Sequence, residues 1–99
     1  MPEKPLFEVY WTDTAFNNAS KIKNYLSKNF SEKEVAVFYS LLAAFESVVS
    51  AFPYLYPSTN NNIGIRRAVL NRNLSVFYRI HKNRVDVLAA FDNRKNLSD

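Results

Sequence analysis

Hydrophobic and polar positions alternate from Leu6 to Trp11, with Phe7, Val9 and Trp11 on one face and Glu8 and Tyr10 on the other, which is the period of a β-strand. Beyond Trp11 the period lengthens. Ala15, Ala19, Ile22 and Leu26 follow at steps of four, three and four, predicting a helix of about four turns that starts on the side-chain oxygens of Thr12 and Asp13. Asn29, Phe30 and Ser31 interrupt it. Ser31 and Glu34 then form an S-x-x-E capping box, in which two side chains satisfy two otherwise orphaned backbone donors, so a second helix is expected to begin there. Its apolar residues Val35, Phe38, Leu42, Phe45, Val49 and Phe52 recur at alternating steps of three and four up to Pro53. Such a stripe also suits a coiled-coil seam, but it is short and a neighbouring helix and strands need covering, so an antiparallel helical hairpin laid on a sheet is expected.

The segment PYLYPSTNNN, Pro53 to Asn62, reads as a loop holding two exposed tyrosines, Tyr54 and Tyr56. Three strand-like runs follow, Ile63 to Leu70, Leu74 to His81 and Val85 to Phe91, with the tight connections Asn71-Arg72-Asn73 and Lys82-Asn83-Arg84, where Asn tolerates the left-handed backbone of hairpin turns. The predicted fold is α+β, β-α-α-β-β-β, an antiparallel sheet covered on one face by the helical hairpin. In the middle run Leu74, Val76, Tyr78 and Ile80 fall on the core face and Ser75, Phe77, Arg79 and His81 on the other. Uniform alternation in the last run places Val85, Val87, Ala89 and Phe91 in the core and Asp86, Leu88, Ala90 and Asp92 outside. Arg66 and Arg67 are adjacent, so a regular strand points them oppositely and one is expected at an edge or bulge; alternation alone does not say which.

The chain has 99 residues and is 47% hydrophobic, a length and composition that predict one domain over residues 1–99. It has no cysteine, which excludes disulfides and thiolate chemistry and fits a reducing cytoplasm. No uninterrupted apolar run approaches the ~18 residues of a membrane span, and MPEKPLFEV has an acid and two prolines where a signal peptide has its basic and apolar regions, so a cytoplasmic protein with no membrane partner is expected.

The net charge of +4 is unevenly spread. Residues 1–62 hold five Lys against six acids, a sum of −1, and residues 63–99 hold six Arg and two Lys against three acids, a sum of +5. Every arginine is in the second part. Arginine presents a planar fork suited to phosphate and carboxylate, which points to an anionic partner of the predicted meander; a merely solubilising basic surface is the plainer alternative.

Gly64 is the only glycine, so no Gly-rich phosphate loop can form. His81 is the only histidine, and Asp86 and Asp92 lie about 20 Å apart along a strand, too far to share an ion or act as an acid–base pair, so neither metal nor cofactor is expected. What remains is Arg66, Arg67, Arg79, Arg94, Lys95, His81 and Tyr78. Metal-free phosphodiester cleavage needs a proton acceptor, a proton donor and cations around the phosphate. The cations can fill the last role and His81 or a tyrosine the others. The plainer readings are His81 as a solvated turn neighbour and Tyr78 as a core residue. Arg79 and Arg94 read as surface residues, whose replacement by alanine is expected to weaken activity at a stability cost below about 0.5 kcal/mol.

From Gly64 to Asn96 the chain GIRRAVLNRNLSVFYRIHKNRVDVLAAFDNRKN resembles the RelE/ParE toxins of bacterial toxin–antitoxin modules: a Gly-x-Arg strand, a hairpin, a Tyr-Arg-Ile strand and a last strand ending in Asp-x-Arg. The preceding helical hairpin, with Leu55-Tyr56-Pro57, fits the same architecture. The resemblance implies a toxin neutralised by a cognate antitoxin, with Arg66, Arg67, Arg79 and Arg94 as antitoxin- or target-binding residues. Two activities occur in the family: RelE-like members cut mRNA on the ribosome and ParE-like members poison DNA gyrase. Against the RelE-like set Arg66 matches, the second basic position is Ala68, Ser75 stands for the middle Arg, Lys95 or Arg94 stands for the late Arg, and no Tyr follows. The ParE-like branch departs less, since Tyr78-Arg79-Ile80 and Asp92-Asn93-Arg94 are both present. An inactive antitoxin-binding module is a third possibility. If the chain is an enzyme, it is a metal-independent endoribonuclease with catalytic candidates Arg66, Arg79, His81, Arg94 and Lys95.

Overall fold

The computed structural model describes residues 6–59 and 64–94. Strand β1 (Glu8–Trp11) leads into helices α1 (Asp13–Asn29) and α2 (Glu32–Ala51), followed by strands β2 (Ile65–Val69), β3 (Leu74–His81) and β4 (Arg84–Asp92). The order is β-α-α-β-β-β, as the periodicities predict.

Both helix starts form as their sequences dictate. Thr12 Oγ1 accepts from Ala15 N at 3.2 Å, and Ser31 Oγ accepts from Glu34 N at 3.3 Å. Only the Ser31 half of the capping box is as expected, because the Glu34 carboxylate turns away to accept from Arg94 Nη1 at 3.0 Å. In α2 the stripe residues Phe38, Leu42, Phe45 and Val49 are buried, but Phe52 is 59% exposed. It is the C-cap, where the chain has already left the helical path. By length and composition α2 is apolar enough to cross a membrane; here its stripe forms part of the core.

The sheet runs β1-β4-β3-β2. It is antiparallel at β2–β3 and β3–β4, but β1 pairs parallel with β4, so the expected all-antiparallel sheet is corrected at one edge. The helices cross from β1 at one edge to β2 at the other. The edge of β2 is covered by the loop before it, through Thr59 N to Ile65 O at 2.8 Å and Arg67 N to Pro57 O at 3.1 Å. Gly64 opens β2 with φ +93°, a backbone conformation that any L side chain would strain, although the space around it is open. At the β3–β4 hairpin the left-handed residue is Lys82, φ +57°, and not the asparagine expected there.

The largest departure lies in β4. Tyr78 pairs with Val87 but Phe77 pairs with Ala89, so Leu88 is an extra residue, a β-bulge. One added residue inverts the faces of everything after it. Ala90 and Asp92, expected outside, are buried at 3% and 4%, while Phe91, expected in the core, is 56% exposed. Beyond β1 the edge of β4 is closed by α1, where Asn18 Oδ1 accepts from Ala90 N at 3.1 Å and Thr12 Oγ1 donates to Val87 O at 2.8 Å.

Candidate functional site

The helices cover one face of the sheet and leave the other open. Register assigns Ile65, Arg67 and Val69 of β2, Ser75, Phe77, Arg79 and His81 of β3, and Arg84, Asp86, Ala89 and Phe91 of β4 to that open face. Its two ends differ. Toward the β3–β4 hairpin, Arg79, His81 and Lys82 are exposed. Arg84 is half-buried there, its Nε donating to Asp86 Oδ1 at 2.7 Å, and this hydrogen bond together with the carboxylate's charge holds the guanidinium above its ordinary pKa. At the other end Phe77 and Phe91 meet edge to face, centroids 5.7 Å apart, and the Arg67 guanidinium lies 5.8 Å from the Phe77 centroid. A cleft of about 300 Å³ is lined there by Arg67, Ser75, Phe77, Phe91, Asp92 and Asn93. A larger one, about 410 Å³, lies on the helices between Phe16, Tyr39 and Trp11, with Glu46 as its only charged lining residue.

The candidate cations divide into bound and unbound. Arg66 does not lie on the open face: it pairs with Tyr78, and its Nη1 donates to Tyr56 O at 2.7 Å and Tyr54 O at 3.5 Å, with the guanidinium 5.1 Å from the Tyr54 centroid. Arg66 therefore fastens the loop. Arg67 points the opposite way and donates from Nη2 to Ser75 Oγ at 3.3 Å. The two arginines sit on a regular edge strand, with no bulge in β2. Arg79 lies opposite Asp86, yet that carboxylate is taken by Arg84, and among the described residues Arg79 makes no side-chain hydrogen bond or ion pair. His81 ends β3 on the same face. Lys95 lies outside the described residues.

Arg94 is clamped. Its Nε and Nη2 donate to the two oxygens of Asp92 at 3.0 and 2.9 Å, its Nη1 to Glu34, and its guanidinium covers the Phe30 ring at 5.1 Å. Tyr25 Oη donates to its carbonyl at 2.7 Å. The hydrogen bond to Asp92, then that to Glu34, outweighs burial and holds Arg94 above the ordinary guanidinium pKa. The Asp92 side chain is fully buried.

Tyr78 is a core tyrosine, as parity predicts, and sequence reasoning missed what its hydroxyl does. It donates to Pro53 O at 2.6 Å, and its ring packs on Phe45 and on Tyr56, which is half-buried rather than exposed. Burial raises the Tyr78 pKa above the ordinary 10.0, with nearby Arg66 opposing. The sign follows from linkage. The unfolded chain ionises this phenol first, so its contribution to stability is complete below pH 10 and falls as pH rises through the higher folded value. Unfolding by urea between pH 8 and 11 should show that slope, and Tyr78→Phe should flatten it. The substitution should also cost about 1 to 3 kcal/mol at pH 8, since the Pro53 carbonyl loses its partner. An unchanged slope would show that another group governs the alkaline loss.

Ser75 lies on the open face as alternation predicts, whereas Phe91 is a part of that face that sequence reasoning assigned to the core. The signal for Phe91 lay in a bulge that periodicity cannot register.

No family model matches the sequence, and no curated protein matches it by sequence. Solved structures do match by shape. A chain of the chromosomal ParDE TA system from P. aeruginosa is similar with a TM-score of 0.74 at 12% identity, over 90% of this chain and 98% of that one. The RelBE2 toxin–antitoxin complex of Mycobacterium tuberculosis gives 0.62 at 17% identity over 88% and 98%, and the E. coli DinJ-YafQ toxin–antitoxin complex 0.63 at 7% over 93% and 98%. The fold is RelE/ParE-like, and the likeness runs across most of the chain.

Proposed function

We propose that this chain is the toxin of a type II toxin–antitoxin module, acting in the cytoplasm, neutralised by a cognate antitoxin, and of the ParE-like branch that inhibits DNA gyrase. Support for the module comes from the RelE/ParE-like fold and from the toxin–antitoxin complexes among its structural relatives. The observation that carries the branch is the fate of the arginines. Arg66, which matches the RelE-like cutting set, and Arg94, which with Lys95 is one of the two residues that can stand for its late Arg, spend their donors on the loop carbonyls of Tyr54 and Tyr56 and on Asp92 and Glu34. Ala68, at the second basic position, is fully buried. Of the candidate arginines among the described residues, those facing outward, Arg67 and Arg79, suit docking of an anionic surface more than cradling a phosphate in a cleavage site.

One observation favours a second reading. Arg79 and His81 share a face two residues apart, about 7 Å, and an imidazole beside a guanidinium is the minimum for metal-independent cleavage of mRNA on the ribosome.

Purified protein added to a gyrase supercoiling reaction and, separately, to translating ribosomes tests both. Inhibition of supercoiling with mRNA left intact is expected. Cleaved mRNA with unimpaired gyrase would replace the first reading by the second. Growth unaffected by expression would remove both and leave an inactive antitoxin-binding module. Arg79→Ala should reduce growth arrest while changing stability by less than about 0.5 kcal/mol, since its guanidinium is solvated. Thermal unfolding alongside the growth assay checks this, and a variant that unfolds while losing toxicity would show Arg79 to be structural.

A further inference from the structure

The sequence of β4 can satisfy two registers. Alternation carried on without interruption from Val85 would bury Val87, Ala89 and Phe91 and put Asp92 in water. The observed strand inserts Leu88, then buries Ala90 and Asp92 and exposes Phe91. Apolar burial alone favours the first arrangement, because it hides a phenyl ring rather than a carboxylate. A local interaction must therefore select the second.

The backbone does not make the choice. The position opposite Val76 turns its N–H toward Asn18 whether Ala90 or, in the regular register, Ala89 occupies it. The Thr12 hydroxyl bonds Val87 O ahead of the bulge at 2.8 Å, which is common to both registers, and its contact with Leu88 O, at 3.5 Å, is at the limit of hydrogen-bond distance. Past the bulge Asn93 Nδ2 donates to Arg72 O at 3.3 Å, an exposed contact, and the larger difference is at the residue opposite Leu74. There the Asp92 carboxylate receives two guanidinium bonds and the Arg94 backbone N–H at 2.9 Å, and Arg94 reaches on to Glu34, 60 residues away in sequence. With Phe91 in that place, Asp92 would lie on the opposite face and the cluster could not form.

We infer that Arg94 is a positioning residue: by pairing Asp92 on the helix side it selects the bulged register of β4 and thereby places Phe91 beside Phe77 on the open face. Bulges near functional sites commonly re-aim a side chain in this way. Without the Arg94 guanidinium the carboxylate keeps one backbone N–H and no counter-charge, which favours the regular register, with Asp92 outward and Phe91 inward.

The chain has no cysteine, so single thiols report the register directly. Ala90→Cys is buried in the bulged register and faces the open side in the regular one; Ala89→Cys does the reverse. In the native background Ala90→Cys should react slowly with a soluble maleimide and Ala89→Cys faster. Adding Arg94→Ala should raise the Ala90→Cys rate about tenfold or more and lower that of Ala89→Cys. Unfolding would raise both, so the opposite movements identify a slip. Adding Asp92→Leu to Arg94→Ala supplies an apolar residue content to be buried and should restore both rates. If Arg94→Ala does not fold, Arg94→Lys, which keeps the charge but loses the fork, should show the same opposite movements at smaller size. Rates that stay native in a folded Arg94→Ala protein, rates that rise together in Arg94→Lys, or a failure of Asp92→Leu to restore them would each overturn the inference. The consequence for binding rests on the toxin reading and is separable: loss of growth arrest with Arg94→Ala and its return with Asp92→Leu would tie Phe91 to the target, while the thiol rates report the register whatever the target is.

Discussion

Replacing Phe45 by alanine should cost about 3 to 5 kcal/mol, enough to remove much of the stability of a domain this size. Phe45 is 1% exposed in the middle of the α2 stripe. Its ring meets Tyr78 of β3 edge to face, centroids 5.7 Å apart, and Tyr56 of the loop at 6.3 Å. One side chain thus joins helix, sheet and loop, and three elements lose packing together when it is truncated. The hydroxyl of Tyr78 holds Pro53, so a cavity at Phe45 should also loosen the loop that Arg66 grips. Urea unfolding followed by circular dichroism gives the size. Proteolysis under native conditions should show the loop opening first. A loss below about 1 kcal/mol would mean that the site collapses around the gap, and the aromatic cluster would not be the keystone described.

Arg94→Ala should cost about 3 kcal/mol, well above the 0.5 expected of a surface arginine from the sequence alone. The Asp92 side chain is fully buried and keeps only the backbone N–H of residue 94 when the guanidinium is lost, whereas Arg94 itself is 23% exposed. The Glu34 contact adds little, because that carboxylate is 39% exposed and well screened. The cost should fall at the low end of the range for breaking a buried pair, because a slip of β4 lets the orphaned carboxylate reach water. Asp92→Leu combined with Arg94→Ala should recover most of the loss, since a buried ion pair replaced by apolar residues is often near neutral. A double-mutant cycle measures this. Additive losses at the two positions would show that they do not act as a pair. Any loss of activity in Arg94→Ala must then be read against its stability, whereas Arg79→Ala carries no such ambiguity.

The outcome at these residues follows from how far each interaction reaches along the chain. Thr12 and Ser31 cap helices by bonding a backbone N–H three residues on, so local spacing reveals them. The faces of α1 and β3, including buried Tyr78 and exposed Arg79, follow from periods of 3.6 and 2 that any window of the sequence contains. Tyr56 and Phe52 were misplaced because the first belongs to a loop folded back on the core and the second to a helix terminus, where periodicity has no hold. The tether of Arg66 escaped the sequence because its partners are carbonyls of a loop 10 and 12 residues away, which composition cannot show.

The sequence by itself determined the six elements, their order, the covered and open faces of β3, and the concentration of arginine on the meander, because these depend on neighbours within a turn or a strand; which of Arg66 and Arg67 faces outward came from the structure. Only the tertiary structure decided that β1 enters beside β4 and parallel to it, that Leu88 bulges, and that Asp92 rather than Phe91 turns inward. Those choices compare whole arrangements of the chain. A carboxylate is worth burying only if Arg94 and Glu34 are already at hand, and that proximity exists only once the helices have been laid on the sheet.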